Sequence, residues 1–70
     1  MKYQVGDLIY GKNAGAGLGY IIKITEDKQF NGFILAIEWF INGRAHQYGS
    51  IDLDGYISRR EAIHYPVGNQ

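Results

Sequence analysis

The chain has 70 residues, of which 46% are hydrophobic, seven are basic and seven are acidic, and it contains no cysteine. A chain of this length supports one hydrophobic core, so we expect a single domain over residues 1–70. The lack of cysteine excludes disulfides and thiolate zinc sites. The formal net charge is zero, so the chain lacks the excess of basic residues that is typical of proteins that hold nucleic acid through its phosphates.

The sequence predicts a soluble protein. No uninterrupted apolar run approaches the ~20 residues that a membrane span requires, and the first residues, MKYQVGD, contain no apolar signal segment. We therefore expect a cytoplasmic protein with no membrane partner, stabilised by apolar packing alone.

Two short strands are predicted in the first half of the chain. The first covers residues 8–10, after a Gly-Asp turn, and is followed by a glycine-rich loop that reaches residue 19. The second covers residues 18–25, where a period of two places Ile22 and Ile24 on one face and Ile21 on the other. The polar residues 26–32 predict a reverse connection.

Residues 33–48 predict a β-hairpin, around which the other elements are organised. Asn42-Gly43 suits a two-residue type I′ turn, because both residues tolerate a positive φ. That turn pairs Trp39 with His46. The face predicted to form the core carries Leu35, Ile37, Trp39 and Tyr48. The opposite face carries Ala36, Glu38, Phe40 and Gln47.

A short helical segment and a last strand complete the chain. Residues 50–60 predict one to two helical turns, with Ser50 as the N-cap. Its predicted apolar side consists of Ile51, Leu53, Tyr56 and Ile57. Residues 61–67 predict a closing strand with Pro66 at its edge or end, since proline has no amide donor. The fold class is all-β, a small five-stranded antiparallel barrel with one short helical turn before the last strand.

The order of these elements resembles the SH3-like barrel, especially its KOW and Tudor types. The motifs that carry the resemblance are Val5-Gly6-Asp7-x-Ile9, Gly17-x-Gly19-Tyr20-Ile21 and Glu38-Trp39-Phe40. The run from Tyr48 to Val67, which ends in His64-Tyr65-Pro66-Val67, resembles small uncharacterised proteins of tailed bacteriophages and cyanophages. Members of this superfold bind peptides, methylated side chains, RNA or other protein subunits, so the resemblance implies a binding function without choosing the ligand. In Tudor-type barrels an aromatic cage binds cations, and here it would use Trp39 and Tyr20.

No motif in the sequence supports catalysis. The glycine-rich loop lacks both the dinucleotide fingerprint and the Lys-Ser/Thr of a P-loop, and a strand follows it. His46 and His64 lie on different strands, without acids at a recognisable ligand spacing, and His46 is more simply a stacking partner of Trp39. Asp52-x-Asp54-Gly55 lacks the later ligands of a calcium loop. We therefore expect a protein that is not an enzyme and has no cofactor, metal or small-molecule substrate.

An apolar surface near the hairpin predicts a partner site. Ile34 and Phe40 lie on the face opposite the core, where exposed apolar residues commonly mark interfaces. The hypothesised partner-binding residues are Ile34, Trp39, Phe40, Arg44, His46 and Tyr20. The partner would be a host or phage protein, or a second copy of the chain. The alternative is RNA or single-stranded DNA, with bases stacked on Tyr20, Trp39 and Phe40 and phosphates held by Lys12, Lys23, Arg44, Arg59 and Arg60.

Overall fold

The structure, a computed structural model, describes residues 2–12, 17–29 and 32–68 and shows a mainly β domain. The elements in chain order are β1 (Leu8–Gly11), β2 (Gly17–Asp27), β3 (Gly32–Trp39), β4 (Ala45–Gly49), α1 (Ser50–Ser58) and β5 (Ala62–Tyr65). The predicted fold class, five antiparallel strands with a short helix before the last one, is confirmed. In the described part of the chain, no helix has the length and apolar character needed to cross a bilayer.

All five strands belong to one antiparallel sheet with the order β4-β3-β2-β1-β5. The first four strands are neighbours in sequence as well as in space, and the last strand returns to pair with β1. Helix α1 contacts β3, β4 and β5, so it bridges the two edges of the sheet. Among the described residues no ladder joins β4 to β5, and both remain edge strands.

The core lies between the inner face of the sheet and α1. Its buried apolar residues are Tyr3, Ile9, Ile21, Leu35, Ile37, Trp39, Leu53 and Ala62. Leu35, Ile37 and Trp39 alternate along β3, as a strand with one buried face requires. The predicted core face of the hairpin is therefore confirmed for these three residues.

The β3–β4 hairpin is present, but its predicted register is wrong. Glu38 pairs with Ala45 and Leu35 with Tyr48, which is a shift of two residues from the predicted pairing. A shift of two keeps every side chain on its predicted face, because strand side chains alternate with a period of two.

A longer loop causes the shift. Asn42 and Gly43 do not form a two-residue turn; they are the last two residues of a four-residue loop, and the Gly43 N–H donates to the Trp39 carbonyl at 2.8 Å. Gly43 takes a φ of +68°, which explains why glycine stands there. The Asn42 side chain accepts a hydrogen bond from the Arg44 N–H at 2.9 Å and closes the loop. Asn-Gly thus identified the turn correctly but not its length.

A bulge in β2 overturns the alternation predicted for that strand. The ladder to β3 shifts between Ile21 and Lys23, which leaves Ile22 as an extra residue. Ile21 is fully buried and Ile24 packs against the core, whereas Ile22 is exposed. The prediction that Ile22 and Ile24 share a face opposite Ile21 is wrong, because a bulge changes the phase of the side-chain period.

Helix α1 is longer than the one to two turns predicted, and it begins differently. Gly49 occupies the N-cap position, and no side chain caps the helix. The predicted capping role of Ser50 is wrong: its Oγ accepts a hydrogen bond from the Phe33 N–H at 3.2 Å and ties the start of the helix to β3. Of the predicted apolar side, Leu53 is buried but Ile51 is 65% exposed.

The helix ends in a left-handed residue that turns the chain into β5. Arg60 has a φ of 65°, its N–H donates to the Ile57 carbonyl at 3.0 Å, and the Glu61 N–H donates to the Tyr56 carbonyl at 2.8 Å. This pair of bonds is a Schellman motif, in which glycine is the usual left-handed residue. β5 then forms a sheet edge and stops before Pro66, so the predicted place of that proline is confirmed.

Candidate functional site

Three neighbouring strands carry apolar side chains on both of their faces. Ile9 is buried on the inner face of β1, so the side chains before and after it, Leu8 and Tyr10, lie on the outer face. Their ladder partners lie on the same face, because residues directly opposite in a ladder project to the same side. The partners of Leu8 are Tyr20 and Tyr65, and those of Tyr10 are Leu18 and Ile63.

The β3–β4 loop extends this surface. The Phe40 N–H donates to the Leu18 carbonyl at 3.0 Å, and the Phe40 ring lies on Tyr20 with 5.3 Å between ring centroids. We call the combined surface the aromatic outer face. It consists of Leu8, Tyr10, Leu18, Tyr20, Phe40, Ile63 and Tyr65. Its two rows of side chains run across β5, β1 and β2 to the tip of the hairpin.

Much of the aromatic outer face is open to solvent. Tyr10, Tyr65 and Phe40 are 39%, 47% and 54% exposed. Because an aromatic side chain presents ~200 Å², these three contribute about 280 Å² of accessible area before the half-buried members are added. The largest apolar patch on a monomeric domain is typically about 300–600 Å², and such patches often take part in binding.

The hydrophobic core on the other side fixes the position of this face. Gly19, opposite Ile9 in the ladder, lies against the Trp39 ring: a Cβ on Gly19 would stand 2.7 Å from Trp39 Cε3 and 2.7 Å from the Glu38 carbonyl oxygen. The Trp39 Nε1–H donates to the Tyr48 hydroxyl at 3.2 Å, and the two rings meet edge to face. Trp39 therefore packs against the inner side of β2, on the side of the sheet opposite to the aromatic outer face.

The structure brings together two of the six hypothesised partner-binding residues, Tyr20 and Phe40, whose rings are in contact. Arg44 and His46 are exposed near the tip of the hairpin, but they lie opposite Trp39 and Ile37 and therefore project to the inner side of the sheet. Trp39 is only 6% exposed and belongs to the core.

Ile34 stands apart from the other hypothesised residues. It lies six residues before Phe40 along β3, roughly 20 Å away at strand spacing. The stacking predicted between His46 and Trp39 is wrong, because His46 pairs with Ile37 in the ladder and Trp39 packs against Tyr48 instead.

A buried carboxylate joins the two ends of the described chain. Asp7 is 1% exposed, and its carboxylate accepts hydrogen bonds from the Gln4 N–H at 2.9 Å and the Val67 N–H at 2.8 Å. His64 Nε2 lies 2.7 Å from Asp7 Oδ2, and the His64 ring packs on Tyr3. Burial raises the pKa of Asp7, but the bonds from His64, Val67 and Gln4 together outweigh it and leave that pKa below its ordinary value.

A second carboxylate lies beside this cluster. The Tyr3 hydroxyl donates to Asp54 Oδ1 at 2.5 Å, and Lys2 Nζ lies 3.2 Å from the same oxygen. Burial and the bond to Asp54 raise the pKa of Tyr3, whereas the bonds from Tyr3 and Lys2 lower the pKa of Asp54. Among the described residues no buried side-chain nitrogen or oxygen lacks a hydrogen-bond partner, as expected of a structural clamp.

Sequence reasoning did not identify this clamp or most of the aromatic outer face. Asp7 was identified only as part of a Gly-Asp turn and of the motif Val5-Gly6-Asp7-x-Ile9, and nothing local relates it to His64, 57 positions away. The outer face did leave a signal: Leu8 and Tyr10 flank Ile9, and Ile63 and Tyr65 flank His64, so these strands are apolar at positions that should face water.

No metal centre is present within the described residues: no group of three histidine or acidic side chains is placed to hold an ion. The chain matches no protein-family model, no curated protein and no solved structure.

Proposed function

We propose that this chain is a small non-enzymatic protein-interaction module that docks a partner on the aromatic outer face. The observation that carries the proposal is the continuous apolar surface on the outer side of β5, β1 and β2, extended by Phe40. A soluble domain does not need such a surface in order to fold, because its core lies on the opposite side of the same strands.

The composition of the face suits a protein partner. Aromatic anchors alternate with aliphatic residues such as Leu18 and Ile63, and the half-buried Glu38, the ladder partner of Tyr20, borders them on the same face. Apolar centres with polar rims are typical of protein interfaces, in which a few aromatic and arginine residues contribute most of the affinity. Since a standard interface covers about 800 Å² per partner, the aromatic outer face would be its centre rather than its full extent.

The resemblance noted in the sequence gives this proposal a biological setting. We infer that the fold is an SH3-like barrel and that the chain is an accessory protein of a tailed phage. It would bind a host or virion protein, or a second copy of itself, in the host cytoplasm. The support is the order of the elements along the chain, together with the resemblance of the run from Tyr48 to Val67 to small proteins of tailed phages.

Single-stranded nucleic acid is a second candidate for the same face. Tyr10, Tyr20, Phe40 and Tyr65 present aromatic rings on a sheet surface, which is how single-strand binders stack bases. Lys12 is exposed nearby. Against this candidate, the net charge is zero and aliphatic side chains interrupt the rings. Oligonucleotide binding that weakens steeply as salt rises would favour it over a protein partner.

Paired variants test the proposal. Tyr10→Ser and Phe40→Ser remove two exposed rings from the aromatic outer face, and Tyr56→Ser removes a similarly exposed ring from α1 as the matched control. We expect a partner captured from extracts of the organism that encodes the chain to be retained by wild type and Tyr56→Ser and lost by the two face variants. Equal recovery by all four proteins, each shown to be folded, would contradict the proposal.

A further inference from the structure

Strand β4 presents an unpaired edge. The Trp39 N–H donates to the Arg44 carbonyl at 2.9 Å, and in an antiparallel ladder hydrogen-bonded pairs then recur at every second residue. His46 and Tyr48 therefore direct their backbone groups toward β3, while Ala45 and Gln47 direct theirs away from the sheet. Ala45, His46 and Gln47 are all exposed, so nothing in the described chain covers this edge.

An open cleft adjoins the far end of the same strand. Its volume is about 540 Å³, within the range of small-ligand sites, and it lies between the end of β4, the start of β3 and the first turn of α1. Gln47 and Gly49 belong to both the free edge and the cleft. Phe33 and Tyr48, whose side chains pack against the core, are among its lining residues, as is Ile51, which is 65% exposed.

The cleft carries negative charge only. Asp27 and Asp52 are its charged lining residues, and no lysine, arginine or histidine lines it in the described chain. One oxygen of Asp27 accepts a hydrogen bond from the Gln29 N–H at 3.2 Å, but neither carboxylate has a cationic partner among the described residues. A positively charged group in the cleft would thus meet two uncompensated negative charges, which favours cations.

We propose that β4 and this cleft form a second binding site, which takes an extended peptide segment carrying a lysine or arginine. The peptide backbone adds to the sheet at Ala45 and Gln47, and its basic side chain enters the cleft toward Asp27 and Asp52. Strand addition supplies main-chain hydrogen bonds, and the pocket selects a side chain. None of the residues that line the cleft belongs to the aromatic outer face, so this proposal can be tested independently of the proposed function.

Chemical-shift perturbation of the full chain tests the proposal. The probe is a short acetylated peptide of alternating valine and threonine with one central lysine, and the comparison peptides carry glutamate or alanine at that position. We expect saturable shifts at residues 45–52, 27 and 32–34, and affinity in the order lysine, alanine, glutamate. Asp27→Asn and Asp52→Asn should each weaken the lysine peptide roughly two- to fivefold and leave the alanine peptide unchanged. Glu26→Gln, an exposed acid outside the cleft, is the matched control.

A backbone variant tests the edge itself. Gln47→Pro removes an N–H that points away from the sheet, so it should keep the fold and abolish binding of all three peptides. Equal affinity for the lysine and glutamate peptides would overturn the proposal, as would the absence of saturable shifts or shifts confined to the aromatic outer face. Self-association of the free chain through β4 would also overturn it, because a second copy would then occupy the edge. If Gln47→Pro perturbs the fold, the two carboxylate variants decide the outcome.

Discussion

Replacement of Asp7 by alanine should remove much of the stability of this domain. The substitution leaves three groups without their acceptor: the Gln4 N–H, the Val67 N–H and His64 Nε2. Each buried group left without its bond costs about 1–3 kcal/mol, and the two backbone groups lie near the surface, where water can replace part of the loss. We expect the variant to lose about 3–5 kcal/mol of stability in total, whereas the whole free energy of unfolding expected for a chain of this length is ~4–10 kcal/mol.

Urea unfolding at neutral pH measures this loss, and the fluorescence of the single tryptophan, buried Trp39, reports the transition. Asp7→Asn keeps the shape of the side chain and one acceptor oxygen, so it should lose less stability than the alanine variant. Glu26→Ala, an exposed acid on β2, is the control and should stay within about 0.5 kcal/mol of wild type. A loss below about 1 kcal/mol in Asp7→Ala would refute the view that this carboxylate clamps the two ends of the chain.

The same carboxylate predicts a pH dependence. The pKa of Asp7 is lower in the folded chain than its ordinary value of 3.8, because the bonds from His64, Val67 and Gln4 outweigh the effect of burial. A depressed pKa contributes stability that is present above the unfolded pKa and is lost as the pH falls through the folded pKa. Between about pH 5 and pH 2, the free energy of unfolding should therefore fall more steeply in wild type than in Asp7→Asn. Equal slopes would contradict this assignment; Asp54, whose pKa is also lowered, leaves a residual slope in both proteins.

Three further substitutions test other parts of the fold. Gly19→Ala should destabilise the domain by about 2–3 kcal/mol in urea unfolding, because the new Cβ meets a backbone oxygen and the Trp39 ring at 2.7 Å; an unchanged midpoint would contradict that packing. Arg60→Gly should stabilise it by about 0.5–1 kcal/mol by relieving the left-handed conformation, and a lower thermal midpoint would argue against the Schellman motif. Tyr48→Phe should cost about 1 kcal/mol and alter the Trp39 emission by removing its hydrogen-bond acceptor, whereas an identical spectrum would show that the bond is absent.

The strands could be predicted from the sequence because their signals are local. Alternation in β3 identified its buried face, and Asn42-Gly43 identified the turn that follows. The length of that loop could not be predicted, because Asn-Gly also suits the last two positions of a four-residue loop. The bulge at Ile22 could not be predicted for a similar reason. The run Gly17-Leu18-Gly19-Tyr20-Ile21-Ile22 contains only apolar or small residues, so it fits either phase of the alternation, and only pairing with β3 decides between them.

The candidate site was predictable only in part, because it depends on which strands become neighbours. Phe40 and Tyr20 were identified, but Tyr65 joins the same face only because β5 returns to β1, and no local signal encodes that pairing. Trp39 was expected at the partner surface from the resemblance to Tudor-type barrels, although the alternation of the strand also placed it on the core face. The absence of a side chain on Gly19, its ladder partner, leaves room for the Trp39 ring in the core.

Photo-crosslinking on the aromatic outer face tests the central claim most directly. A benzoylphenylalanine is placed at position 40, and at position 56 on α1 as the control, in cells of the organism that encodes the chain. If the face docks a protein, position 40 yields a discrete protein adduct that position 56 does not. Adducts of equal yield at both positions, or an adduct at position 40 that only nuclease removes, would contradict the claim.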